Sequence, residues 1–518
     1  MKKMFLLLAA FAALPLLSQA EEMSVFLTKS KSLYIRRAWS ASEDLLLLCG
    51  LGGNRQFNFV STFLIPKSTP EKDIPAKFKL PTRFHWCGDS VGVMHLYPHP
   101  DQRTLYILSG NHGYNGTLVT LPGHGYKKED AGKKLDATHW IARVDSPDKL
   151  LVLPAIGKKA LPKATELKPF HNFAATRILK REYLLDGKVL PAEQLLKGRE
   201  LTVIEKQGIC VFEALAAAGF KQEAVTDYYA VVDLEYHFFP NGSCRVDARF
   251  EFTRDVQLMG VSPMQDSDCE LWKHDFYEKY IPKVKPIQEK PAGSLKRPKR
   301  MENLQAWHCP LPAKKLEADT RPYDFAGVQD MTAIRKEPAN ISTRFQIRVQ
   351  GGYVDPNDQP DRFIEFLGKI VDGKRVRKIG NVLGMDPEWG MYKKSERAKN
   401  GTSFILAAWH KTYPSQFSRP GRTDLKKGTV LEAVGYRCYF NPETIGDATA
   451  LYVIPHRDHR KLYADFHKAV KAYQLPFGAD EKAEIVEASP GVTLAGNKVS
   501  IAGSRGFIVL KLTKAANR

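Results

Sequence analysis

Apolar residues fall along most of this chain in short β-branched and aromatic runs separated by clusters of Gly, Pro and Asn. They do not recur at helical spacing. In the first 160 residues such runs cover 33–37, 57–63, 104–108 and 117–121. A hairpin is expected around Ser146-Pro147-Asp148. The clearest local signal lies further on. A run over 229–239 leads into Pro240-Asn241-Gly242, and 244–252 returns; Asn-Gly readily adopts the positive φ angles of tight hairpin turns. On the return strand Val246, Ala248, Phe250 and Phe252 alternate with Arg245, Asp247, Arg249 and Glu251, the pattern of a half-buried antiparallel strand. Runs over 343–349, 403–409, 430–440 and 448–454 follow, and 492–494, 498–501 and 506–512 close the chain like a small β-module. Helices are expected only at 192–201, 213–224 and 460–473.

The pattern predicts a mainly β fold of antiparallel β-sandwich or supersandwich modules with few helices. At 518 residues the chain exceeds one ordinary core. Its composition divides it into a β region over 21–165, a central sandwich region with the Asn-Gly hairpin over 166–282, and a β region over 339–518. Between the last two lies a Pro- and Lys-rich stretch, 283–338, with the run Lys296-Arg-Pro-Lys-Arg. It reads as a linker or surface excursion, with a polyanion clamp as its functional alternative.

The N-terminus changes the compartment. Lys2 and Lys3, an apolar run from Phe5 to Leu17, and Ser18-Gln19-Ala20 before Glu21-Glu22 make a cleavable secretory signal over 1–20. The expected location is periplasmic or extracellular. No later stretch is long and apolar enough to span a bilayer, so the mature chain should carry no transmembrane segment. The 43% hydrophobic and 26% charged composition is that of a folded globular protein. A formal charge of +20 fits either a general solubility bias or a polyanionic partner, and in an exported protein the expected polyanion is an acidic polysaccharide, anionic lipid or cell wall rather than nucleic acid. Seven cysteines are scattered without CxxC or zinc-type spacing, and the odd number leaves at least one outside any intramolecular disulfide.

Three clusters could carry chemistry. The first is Ser109-Gly-Asn-His-Gly-Tyr-Asn-Gly116 with Pro122-Gly-His-Gly-Tyr126. If 104–108 and 117–121 pair, His112 and Tyr114 lie at a hairpin turn and His124 at the next turn; tight turns alone also explain these glycines. The second is Trp409, His410, Lys411 and Tyr413 with Arg437 and Tyr439, mixing aromatic faces with cations. The third is His456-Arg-Asp-His459 with Asp465 and His467, where His456, His459 and Asp465 are possible metal ligands. Gly88-Asp89-Ser90, Gly110-Asn111 and Asp136-Ala-Thr-His139 also follow the block order of GDS-type esterases. That family needs a parallel α/β sheet with helical crossovers, however, and these blocks sit in a short strand-rich stretch.

The segments SGNHGYNGT with PGHGY, YHFFPNGSCRV, and AVGYRCYF with the following strand resemble β-rich exported proteins of polysaccharide-degrading bacteria and related phage-tail proteins. The resemblance implies a β-sandwich or supersandwich working on glycans, the architecture of several polysaccharide lyase families, and carries over no catalytic residue. The leading expectation is therefore a polysaccharide lyase that cleaves a uronate-containing polymer by β-elimination. His112 would be the base and Tyr114 the acid, with His124 or His410 assisting and Arg437, Lys411, Tyr413 and Trp409 holding substrate. This chemistry asks for no metal or cofactor. A non-catalytic glycan-binding or cell-surface protein is the alternative. A glycoside hydrolase, which needs a carboxylate pair, comes third, and the esterase fourth.

Overall fold

A computed structural model describes residues 22–51, 55–73, 175–219, 221–262, 374–393, 423–466, 468–503 and 506–514. It adds the strands Val93–Tyr97, Thr104–Ser109, Thr117–Thr120, Trp140–Ile141, Leu153–Pro154, Asp266–Cys269, Leu304–His308, Gln346–Arg348, Arg362–Val371, Thr402–Ala407 and His410–Phe417. Of the described residues 61% are in strands and 5% in helices, and the strand pairings are antiparallel, as the alternating pattern predicts.

The large sheet, one of two with nine strands among the described residues, has the order Lys188–Val189, Thr176–Leu185, Leu201–Cys210, Tyr228–Phe238, Ser243–Phe252, Val430–Phe440, Lys374–Met385, Arg362–Val371 and Leu304–His308. It joins strands from both sides of 283–338, and Leu304–His308 from within that stretch forms its edge. A five-stranded sheet (Leu195–Gly198, Met23–Leu27, Leu33–Ala38, Glu43–Leu51, Phe57–Pro66) packs on one face. Phe57, fully buried, meets Tyr183, Tyr236 and Phe238 edge-on, and its backbone N–H donates to the buried Glu205 carboxylate.

The opposite face is covered by the C-terminal module. Here Ala450–Pro455, Arg460–Phe466, Gly506–Lys514 and Glu481–Ala488 form a four-stranded sheet beside a three-stranded one (Val470–Gln474, Lys498–Ile501, Val492–Ala495). Tyr436, Cys438 and Phe440 of the large sheet enter one core with Tyr452, Tyr463, Leu462 and Leu510. At Gly384 a Cβ would come within 2.2 Å of the Tyr436 ring, so the missing side chain is what lets the ring lie across the neighbouring strand. The buried Arg362–Asp465 ion pair, 2.9 Å, joins the two bodies inside this core.

Two expected helices are strands. Residues 460–473 form Arg460–Phe466 and Val470–Gln474, and the first is buried on both faces, so Leu462, Tyr463, Ala464 and Phe466 need no helical periodicity. Residues 192–201 hold the strand Leu195–Gly198, which pairs with Met23–Leu27. At 213–224 a short helix, Phe212–Ala217, and a 3-10 turn, Gln222–Ala224, do form. The Asn-Gly hairpin stands where the sequence puts it, except that only Gly242 takes positive φ (86°), closing the turn by donating its N–H to the Phe239 carbonyl. Cys49, Cys210, Cys244 and Cys438 are buried thiols.

Candidate functional site

The face of the Tyr228–Phe238/Ser243–Phe252 hairpin that carries its charges faces the C-terminal module. The register sets Asp233 opposite Arg249, Glu235 opposite Asp247 and His237 opposite Arg245. Arg245 is buried against the module: Nε donates to Asp247 Oδ1 at 2.9 Å and Nη1 to the Pro455 carbonyl at 2.7 Å. Asn241 of the hairpin turn donates Nδ2 to the Val453 carbonyl at 2.8 Å. These bonds hold the end of the Ala450–Pro455 strand, and with it the turn His456-Arg457-Asp458-His459 that leads into Arg460–Phe466.

That turn is a partition. The His456 N–H donates to the His459 carbonyl at 2.8 Å, and the two imidazoles stack at 4.5 Å with 4° between planes. On one side is a cavity of about 620 Å³ with Phe239, Pro240, Arg199, Arg460 and Lys514 in its wall. On the other is a groove of about 580 Å³ lined by Asp233, Glu235, Asp247, Arg249, Glu432 and Trp389, with Asp386 and Lys461 behind. Trp389 is 52% exposed on this wall.

Burial and the nearby charges of His459, Lys461 and Arg245 push the His456 imidazole down to about 3, so it is neutral in the ordinary working range. Behind it Asp386 accepts from Lys461 Nζ at 2.7 Å. At His237 burial works against the charged form, but the Glu200 and Glu235 carboxylates outweigh it and the imidazole lies above its ordinary value. Glu200 and Glu235 are lowered, each first by its contact with His237.

The sequence-predicted residues distribute as follows. Strands Thr104–Ser109 and Thr117–Thr120 pair, so His112 and Tyr114 belong to the connection between paired strands. Both, with His124 and Trp409, lie outside the described residues. His410, Lys411 and Tyr413 are on His410–Phe417, which pairs with Thr402–Ala407 and Asp266–Cys269 in a separate sheet. Arg437 is 1% exposed, and its register partner Cys244 places it on the face of the large sheet opposite the groove. His456 and His459 meet as the third cluster suggests, but Asp465 stands at the far end of the strand, paired with Arg362, so these three do not converge on one metal.

Local sequence pattern assigns no site role to Glu200, Glu235, His237, Asp247 or Trp389. A signal for three of them was present. Counting outward from the Asn-Gly turn sets Glu235 opposite Asp247, with His237 on the same face.

No family model and no curated protein sequence matches the chain. Among solved structures it is similar to a Klebsiella pneumoniae protein assigned as an aldose 1-epimerase. The TM-score is 0.23 and the identity 9%, over 78% of this chain and 86% of that one. It is also similar to galactose 1-epimerase from Lactobacillus acidophilus, with TM-score 0.25 and identity 8% over 81% and 99% of the two chains. Scores this low establish neither a shared fold nor an activity for this protein.

Proposed function

We propose that this is an exported glycan-active protein that seats a saccharide in the groove beside Trp389. The carrying observation is the indole itself, half exposed on the wall of a groove of about 580 Å³ lined for the most part by charged side chains. A flat apolar face takes the C–H face of a sugar ring, while Asp233, Glu235, Arg249 and Glu432 offer acceptors and donors to its hydroxyls. In its enzymatic form the proposal is a polysaccharide lyase acting on a uronate polymer, with His112 as base and Tyr114 as acid. The strands on either side of this cluster, Thr104–Ser109 and Thr117–Thr120, pair as the hairpin reading of it expects. In its non-catalytic form the protein binds glycan without cleaving it.

One experiment tests both. Purified protein is mixed with a panel of acidic and neutral polysaccharides while binding and the absorbance of unsaturated uronides are followed. Trp389→Ala is expected to weaken glycan binding at least tenfold without loss of thermal stability, because the side chain it removes is half exposed. A rise in absorbance abolished by His112→Ala makes the protein a lyase, and binding without a rise makes it a glycan-binding protein. If the wild type binds no glycan on the panel, or Trp389→Ala binds as well as wild type, the proposal fails.

A further inference from the structure

The groove contains an arrangement that saccharide binding alone leaves unexplained. Glu235 and Asp247 are direct cross-strand partners, and two carboxylates so placed repel each other unless positive charge lies between them. His237, on the same face, turns Nε2 into that gap, 3.5 Å from Glu235 Oε2 and 3.9 Å from Asp247 Oδ2. The His237 side chain is 9% exposed, and Nε2 is buried without a hydrogen-bond partner. The other ring nitrogen, Nδ1, stands 2.8 Å from Glu200 Oε1. When Nδ1 donates there, the Nε2 lone pair points at two anions.

A proton on Nε2 or a cation in the gap resolves that contact, and the distances leave room for a cation. Both separations are long for an N–H···O bond. Ligand atoms about 2.1 Å from a tetrahedral ion stand roughly 3.4 Å from one another. One ligand atom from each of Glu235, His237 and Asp247 lies within 4.8 Å of the others, so modest side-chain adjustment closes the set. Arg245 occupies Asp247 Oδ1 and leaves Oδ2 facing His237, while Arg457 is 3.8 Å from Glu235 at the rim.

We propose that Glu235, His237 and Asp247 bind a first-row divalent cation of the Zn2+ type, with Glu200 as the positioning carboxylate behind His237. An imidazole with a carboxylate on its far nitrogen is the usual second-sphere support of a metal-bound histidine. One nitrogen and two oxygens suit such an ion better than Ca2+, which takes six to eight oxygen ligands. Glu235 and Asp247 are 39% and 32% exposed in their side chains and line the groove, so the remaining coordination position opens into it. Three protein ligands and one open position is the plan of a site that engages a ligand. A hydroxyl or carboxylate of the groove's occupant would complete the sphere; this last step rests on the saccharide reading, and the cation site does not.

The test uses the full purified chain, stripped of metal, and Zn2+ alone. One equivalent of Zn2+ is expected to bind, and Co2+ in its place to give visible ligand-field bands. Glu235→Gln and Asp247→Asn, both at partly exposed positions, should each weaken Zn2+ at least tenfold, and Glu200→Gln about 10- to 100-fold with the Co2+ bands shifted rather than lost. His459→Gln should leave Zn2+ binding unchanged. The proposal is overturned if the wild type takes up no stoichiometric Zn2+. It is also overturned if Glu235→Gln and Asp247→Asn bind as wild type does, or if His459→Gln abolishes uptake. No saccharide is present, so failure here leaves the glycan proposal standing, and failure of glycan binding leaves the cation site standing.

Discussion

His456→Gln isolates a cost that the partition between the two cavities imposes on the fold. The side chain of His456 is 13% exposed, and burial with the charges of His459, Lys461 and Arg245 holds its imidazole at about 3, against an ordinary 6.5. In the unfolded chain the ring takes up its proton near the ordinary value, and in the folded chain only near 3. Between those limits the unfolded state binds more protons, so stability falls as pH falls, starting near 6.5 and continuing towards 3. Integrated from pH 7 to pH 5, the loss from this one group is about 2 kcal/mol. Glutamine keeps a polar side chain of similar reach and has no proton to gain. Denaturant unfolding of wild type and variant at both pH values gives four stabilities, and their double difference removes the titrating groups that the substitution leaves unperturbed. The wild type is expected to lose about 2 kcal/mol more than the variant on acidification. Hydrogen–deuterium exchange at the His456 ring carbon reads the same protonation directly and should stay at the neutral-imidazole rate from pH 8 to pH 5. Parallel pH dependences for the two proteins would refute the argument.

Two further outcomes follow from packing. Gly242→Ala places a Cβ 2.3 Å from Arg37 Nη1 and 2.5 Å from the Tyr439 carbonyl at φ 86°, and should cost about 1–3 kcal/mol in denaturant unfolding, whereas Gly428→Ala, with φ also 86° and open space around it, should cost less. Asp465→Ala leaves the Arg362 guanidinium buried against the Tyr463 and Phe507 rings without its carboxylate partner. A loss of about 3–5 kcal/mol is expected, much of it recovered by the double substitution Arg362→Met/Asp465→Leu.

What the sequence made legible depended on how many sides of each strand are covered. The Asn-Gly hairpin was readable because the core side and charged side of Ser243–Phe252 alternate cleanly over Val246 to Phe252. Arg460–Phe466 was not, because its neighbours cover both faces and erase the period that separates strand from helix. The same double covering hid the site. Arg245 and Asp247 read as the solvent side of a half-buried strand, with His237 and Glu235 opposite them by register, yet the C-terminal module, more than 200 residues further along, closes over that face through Arg245 to Pro455 and Asn241 to Val453. Local pattern records what a residue pairs with across a turn, and register then follows by counting. It does not record which distant segment lands on the outer face, and here that landing turns an ordinary row of charges into a buried imidazole between carboxylates. Arg437 went astray by the same route. As a cation in a strand among tyrosines it suggested a substrate ligand, but the strand is buried on both faces, and alternation alone, once Tyr436 is placed with the C-terminal core, directs Arg437 to the other side.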